Sequence, residues 1–153
     1  MAGSAAELKT ETTVAPAPKT KRRKKASPTQ HTLKALRKAG WTCAIVEKWN
    51  AHIMIRQDLF GFIDILALRG PETLAVQTTD ASSVSKRVDK ILESPNLAPV
   101  LTAGWRVEVH GWKRPTKTLP KWRQRIVPIT ANSHGYVALE GPTRVGVVER
   151  SAT

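Results

Sequence analysis

A chain of 153 residues with 41% hydrophobic side chains has the length of one domain and the material for one core. Its formal net charge of +13, from 25 Lys and Arg against 12 Asp and Glu, favours a polyanionic partner, nucleic acid ahead of an anionic membrane. The single cysteine, Cys43, excludes an intramolecular disulfide framework and a cysteine-rich zinc site. No apolar run approaches the roughly 18 residues of a membrane span, and no signal-peptide core opens the chain. These exclusions lead us to expect a soluble protein of a reducing, cytoplasmic compartment.

Residues 1–26 mix Ala, Pro, Thr and Lys with almost no large apolar side chain, so they cannot offset their own ordering entropy. They are expected to form a disordered basic arm. Its run Lys21, Arg22, Arg23, Lys24, Lys25 suits either phosphate contact or simple solvation. Seven basic and two acidic side chains fall in residues 1–28, which leaves +8 for the rest, so the folded part is basic in its own right.

Order is expected from Ser27. "SPTQ" offers a helix cap, a proline at the first helical position and a Ser-x-x-Gln capping box, while Gly40 is placed to end the helix. "WTCAIVEKW" alternates as a strand, with Trp41, Cys43, Ile45 and Glu47 on one face. "GFIDILAL" is apolar on both faces apart from Asp64, the pattern of a central strand, and "ETLAVQTT" follows after the short turn "RGPE". "SSVSKRVDKILES" has helical spacing, with Val84, Val88, Ile91 and Leu92 inward and Ser83, Arg87 and Lys90 on another face. Pro95 and Pro99 are expected to break or kink it. "WRVEVHGW" is a strand, "RQRIVPI" an added edge strand, and the segment from Ala131 reads weakly. The boundaries that follow are an arm over 1–26, a domain over 27–130 and a weakly structured segment over 131–153. The fold class is α/β or mixed α+β, a small mixed sheet flanked by helices.

Asp64 is the residue that demands explanation, because an isolated buried carboxylate costs several kcal/mol unless it is paired, hydrogen-bonded or metal-bound. Gln77 and Thr79, two apart on the next strand, share a face and make a polar pocket if that face is also that of Asp64. Glu47 interrupts an apolar pattern and can close the pocket from a third direction. The alternatives are a carboxylate satisfied by backbone amides or Arg56, a strand emerging into solvent at Gln77, and a solvated helix face at Arg87 and Lys90. No His or Cys spacing suggests zinc, and His31, His52 and His110 are poorly placed as bases. Trp49 and Trp112, each near a basic residue, are candidates to stack on unpaired bases. Cys43 reads as core.

An aspartate in an apolar strand, a short hairpin, a second apolar strand ending in a polar triplet and a following helix resemble the PD-(D/E)XK, or restriction-endonuclease-like, nucleases. Over roughly residues 29–114, "DLFGFIDILAL…LAVQTT…SKRVDKI…GWRVEVHGWKR" looks like a bacterial or phage branch similar to archaeal-type Holliday junction resolvases. The resemblance implies a restriction-endonuclease-like core with Asp64 as the metal-binding aspartate, Gln77 in the place of the second acid and Thr79 in that of the lysine. Glu47 and then Asp58 are candidates for the missing charge, and the backbone carbonyl of Thr78 for a further ligand. Lys90 or Arg87, reaching back from the helix, would stand in for the lysine.

The implied activity is a Mg²⁺- or Mn²⁺-dependent endonuclease acting on structured or branched DNA, working as a homodimer, with no membrane partner. DNA contacts are expected from Lys21 to Lys25, Arg56, Ser83, Lys86, Arg87, Lys113 and Arg114. The competing readings are a nuclease fold that binds DNA without cutting it and a basic RNA-binding protein.

Overall fold

A computed structural model describes residues 25–139 and the backbone of Thr143–Val145. The run Lys21 to Lys24 and most of the segment beyond residue 139 lie outside the described residues. The fold is mixed α+β, as the hydrophobic patterning predicts.

Helix α1 (Pro28–Lys38) starts where the cap signals place it: the Ser27 hydroxyl accepts from the Gln30 backbone N–H at 3.3 Å, and Pro28 fills the first helical position. It stops at Gly40, whose φ of +87° is a conformation that side chains resist. Strand β1 (Thr42–Ile45) follows. A separate two-stranded hairpin, β2 (Lys48–Asn50) and β3 (Ile55–Gln57), then leaves the main sheet, and the chain returns as β4 (Ile65–Arg69). A tight turn at Gly70 and Pro71 leads into the long central strand β5 (Glu72–Asp80). A 3-10 turn (Ala81–Ser83), α2 (Val84–Leu92) and α3 (Leu97–Thr102) cross over to β6 (Arg106–Lys113). Strands β7 (Arg123–Asn132), β8 (Gly135–Ala138) and β9 (Thr143–Val145) complete the order.

The main sheet runs β1-β4-β5-β6-β7-β8, with β9 also paired to β7. Among the described residues only β5 and β6 are parallel, as the helical crossover between them requires; the other pairings are antiparallel. One face packs Ile65, Ala67, Leu74 and Val76 against Leu33, Leu36 and Trp41 of the α1 region. The other packs Ala75, Val107, Val109, Val127 and Ile129 against Val84, Val88, Ile91, Leu97 and Val100. β5 is covered on both sides, which is why its run is apolar without alternation. Helix α2 comes so close to β6 that a Cβ on Gly111 would collide with the Val84 side chain.

Three sequence expectations are corrected. "WTCAIVEKW" is not one strand: the pairing with β4 stops at Ile45, and Ile45 is exposed instead of sharing a buried face with Trp41. The Val46 N–H donates to the Asp64 carbonyl at 2.9 Å, and the chain then turns out into the hairpin. "GFIDILAL" becomes strand only at Ile65. Leu59 and Ile63 bridge across a left-handed turn at Phe60 and Gly61, with φ of 53° and 85°. The break expected at the prolines is observed, since α2 ends at Leu92; the separate short helix that follows holds Pro99 in its first turn, where a missing N–H costs nothing. β7 is not an edge strand, since β6 flanks it on one side and β8 and β9 on the other. β7 itself runs past residue 130 to Asn132. Among the described residues no helix is long and apolar enough to cross a membrane.

Candidate metal centre

The hairpin leaves the sheet at Val46 and returns at Asp64, so its two feet stand beside that aspartate. Lys48 pairs with Gln57 as the first rung of β2–β3, and one step further along the same register puts Glu47 opposite Asp58. Two like charges directly opposite each other repel, and repulsion of this kind calls for a counter-charge. The three carboxylates of Glu47, Asp58 and Asp64 each offer an oxygen within 4.8 Å of the others. Arg56 supplies part of the counter-charge: its guanidinium meets Glu47 Oε2 at 3.1 Å from an exposed position.

Asp64 itself is held rigidly. Its N–H donates to the Val76 carbonyl at 2.9 Å while its carbonyl accepts from Val46, so its backbone is tied to β5 on one side and to the end of β1 on the other. Its side chain is 6% exposed. Oδ2 accepts three hydrogen bonds: from Gln77 Nε2 at 2.6 Å, from the Thr78 N–H at 2.8 Å and from the Thr78 hydroxyl at 3.0 Å. Burial pushes the Asp64 carboxyl up to about 7. The neighbouring Asp58 adds to this rise, and the Thr78 amide and hydroxyl oppose it. At neutral pH the group is poised between its two protonation states.

The donor set fits a hard divalent cation. Three carboxylates converge, burial and the charge of Asp58 raise the proton affinity of Asp64 that a cation would offset, and the buried Gln77 Oε1 has no hydrogen-bond partner among the described residues. The cluster can hold a metal ion.

Gln77 and Thr79 are placed differently from each other with respect to this centre. Gln77 is buried beside Asp64 and donates to it through the amide nitrogen. The Thr79 side chain makes no hydrogen bond to any of the three carboxylates; by strand alternation it lies opposite Gly111, on the α2 face. The second partner of Asp64 is Thr78, which donates to it through both amide and hydroxyl. Its hydroxyl also meets the Thr29 hydroxyl at 2.9 Å, so a chain of hydrogen bonds runs from the first turn of α1 to the carboxylate. The Thr78 carbonyl lies 3.5 Å from Gln77 Nε2.

Ser83 and Arg87 are half-buried and Lys86 and Lys90 exposed on α2 or at its start. Among the described residues none of them bonds to the carboxylates. Lys25, Lys113 and Arg114 are exposed, the last two lining an open cleft with Asp80, Ala81, Ser82 and Trp112. Trp112 is not free to stack on a base: it is 5% exposed and its Nε1 donates to the Thr32 hydroxyl at 2.8 Å. His31 packs between Trp112 and Trp122, and burial, with the charge of Lys34, holds its pKa below the usual value.

A second polar network lies within the sheet on the α1 side. His110, 1% exposed, meets Glu108 Oε2 at 2.8 Å through Nε2, and Gln124 Nε2 at 3.0 Å through Nδ1; Arg106 meets Glu108 Oε1 at 2.9 Å. Burial alone would raise the Glu108 carboxyl, but His110 and Arg106 outweigh it and hold it below the usual range. The alternation of β6 places Glu108 and His110 on one face, which is the only sequence signal for this pair.

Comparisons with protein-family models, with curated proteins and with solved structures return no significant match.

Proposed function

We propose that this protein is a metal-dependent DNA endonuclease whose Mg²⁺ or Mn²⁺ is held by Asp64, Glu47 and Asp58. The observation that carries the reading is the convergence of these three carboxylates, from three separate chain segments, around a buried aspartate in a protein of charge +13. The order of helix, antiparallel strands, crossover helices and parallel strand agrees with the resemblance to restriction-endonuclease-like nucleases. When bound, the cation supplies stabilisation of charge developing on a phosphodiester and acidification of the attacking water.

The chain's own residues do the rest. Thr78 and Gln77 fix the Asp64 carboxylate by three hydrogen bonds, and Asp64 releases its proton as the cluster takes up positive charge. Arg56, exposed and ion-paired with Glu47, can turn to a phosphate. It therefore takes the electrostatic role that Thr79 cannot supply. A branched substrate and a two-fold dimer belong to the same proposal, because cutting two strands symmetrically needs two sites.

The second reading is a protein that binds DNA without cutting it. It is favoured by the threonine at position 79 and by the ion pair that Glu47 already makes with Arg56. Incubating supercoiled, linear and four-way-junction DNA with the protein in Mg²⁺ or Mn²⁺ separates the two. Cutting by wild type and none by Asp64→Asn supports the endonuclease. Absence of cutting on all three substrates, with retained gel shifts, establishes the binding reading.

A further inference from the structure

The β2–β3 hairpin has more exposed apolar surface than its size justifies. Trp49, Ile53, Met54 and Ile55 are each at least half exposed, with Met54 at 70%. The register puts Trp49 with Arg56 on one face of the hairpin and Ile55 on the other, while Ile53 and Met54 sit in the turn, so the exposed apolar side chains wrap the tip of a single element, a concentration that marks a binding surface. The tip is a shaped structure: the His52 N–H donates to Asn50 Oδ1 at 3.1 Å, and Asn50 Nδ2 donates to Gln57 Oε1 at 3.4 Å. Met54 has a φ of 54°, a region that glycine or asparagine occupies with less strain. An apolar side chain is thus kept at the tip against backbone preference.

The chemistry around the tip selects the partner. Residues 48–57, "KWNAHIMIRQ", contain Lys48, His52 and Arg56 and no acid. Two copies of a chain of charge +13 meeting tip to tip repel, whereas a polyanion is complementary to Lys48 and to the chain as a whole, even with Arg56 paired to Glu47 at the hairpin's foot. A two-stranded ribbon has the width to enter a DNA groove, and apolar side chains wedge between base steps where the stack is already weak. Beside the hairpin, Trp49 and Arg56 form one side of an open cleft of about 440 Å³ whose other walls are Glu47, Ile45 and the start of α1 at Ser27, Thr29 and Gln30. An indole and a guanidinium side by side suit the face of an unstacked base.

We propose that the β2–β3 hairpin is a wedge for duplex DNA at an opened base step, with Ile53 and Met54 entering the step and Trp49 and Arg56 receiving the displaced base. The binding stands by itself; its consequence for cutting rests on the endonuclease reading. Because Glu47 and Asp58 form the feet of the same hairpin, DNA seated at the tip would bring its backbone to the carboxylates.

The test is fluorescence anisotropy of the full chain in EDTA, where nothing is cut. The probes are a fully paired duplex and the same duplex with a central two-base mismatch bearing 2-aminopurine. Wild type is expected to bind the mismatched duplex about tenfold more tightly and to quench the 2-aminopurine emission as the displaced base stacks on the Trp49 indole. The exposed double variant Ile53→Ser, Met54→Ser and the single variant Trp49→Ala should each lose that preference and keep their affinity for the paired duplex. Equal binding of both duplexes by wild type, or a preference that survives in the double variant, overturns the wedge. So does sedimentation showing a wild-type dimer that the double variant dissolves, which would make the hairpin an interface between copies. A parallel digestion in Mn²⁺ keeps the two readings apart: preference without cutting leaves the wedge and removes the endonuclease, and cutting without preference does the reverse.

Discussion

Replacing Asp64 by Asn should make the metal-free protein more stable in mild alkali while removing its response to divalent cations. Folding lifts the Asp64 carboxyl to about 7 from the ordinary value near 4, chiefly through burial. A group whose pKa is raised by folding contributes stability at low pH, and that contribution is lost as pH rises through the folded value. Between about pH 5.5 and 7 the unfolded carboxylate is ionised and the folded one is not, so each pH unit removes about 1.4 kcal/mol, about 2 kcal/mol in all. Above about pH 7 this contribution is flat. For a domain of this size the loss corresponds to a fall in Tm of about 6–10 °C. Thermal melts in EDTA at about pH 5.5 and 8.5 would show this fall for wild type and not for Asp64→Asn, whose amide can still accept the Thr78 hydrogen bonds. Saturating Mg²⁺ or Mn²⁺ at the higher pH should restore wild type and leave the variant unmoved. Parallel pH slopes for the two proteins would refute the picture of Asp64 as a buried, repelled carboxylate. A metal response that survives the substitution would remove Asp64 from the centre.

Arg56→Ala frees Glu47 from its ion pair and should tighten Mn²⁺ binding by calorimetry about twofold to fivefold, the worth of an exposed pair, while weakening DNA binding. Glu108→Ala leaves the buried His110 Nε2–H without its acceptor and should cost about 2–3 kcal/mol in urea unfolding. Because the wild-type Glu108 carboxyl is depressed by folding, its contribution is present above the ordinary carboxylate value and lost as pH falls below it; the variant should lack that acid-side loss. Gly111→Ala drives a methyl into Val84 and should lower stability by about 1–3 kcal/mol, read as a shifted urea midpoint at unchanged slope.

The regular elements were legible wherever local chemistry and periodicity agreed. Ser27, Pro28 and Gly40 bracket α1; Gly70 and Pro71 turn β4 into β5; Val84, Val88 and Ile91 define the inner face of α2. Legibility failed where the chain leaves a regular period. Ile63 and Ile65 belong to opposite faces of the sheet although they are two positions apart, because the backbone is irregular through Asp64. Counting by twos therefore pairs Asp64 with Gln77 and Thr79, whereas the side chain meets Gln77 and Thr78. Glu47 and Asp58 could be named as acids but not placed, since their meeting depends on the register of a hairpin whose strands are three residues each. The His110 and Glu108 pair needs Gln124 from a strand fourteen residues away, and no local rule reports such a contact.

The two kinds of attachment at the acidic cluster bear on the space open to a cation. Asp64 is anchored through its main chain to both neighbouring segments and through Oδ2 to three donors. Glu47 and Asp58 stand at the feet of a hairpin whose strands, among the described residues, pair only with each other. Yet their chain neighbours Val46 and Leu59 pack against the core, so all three carboxylates stand on anchored backbone and the side-chain torsions of Glu47 and Asp58 are what is left to adjust to an ion. The span open to a cation is thereby set by the sheet and by the hairpin's feet together, so the acids far apart in pairing are close in support.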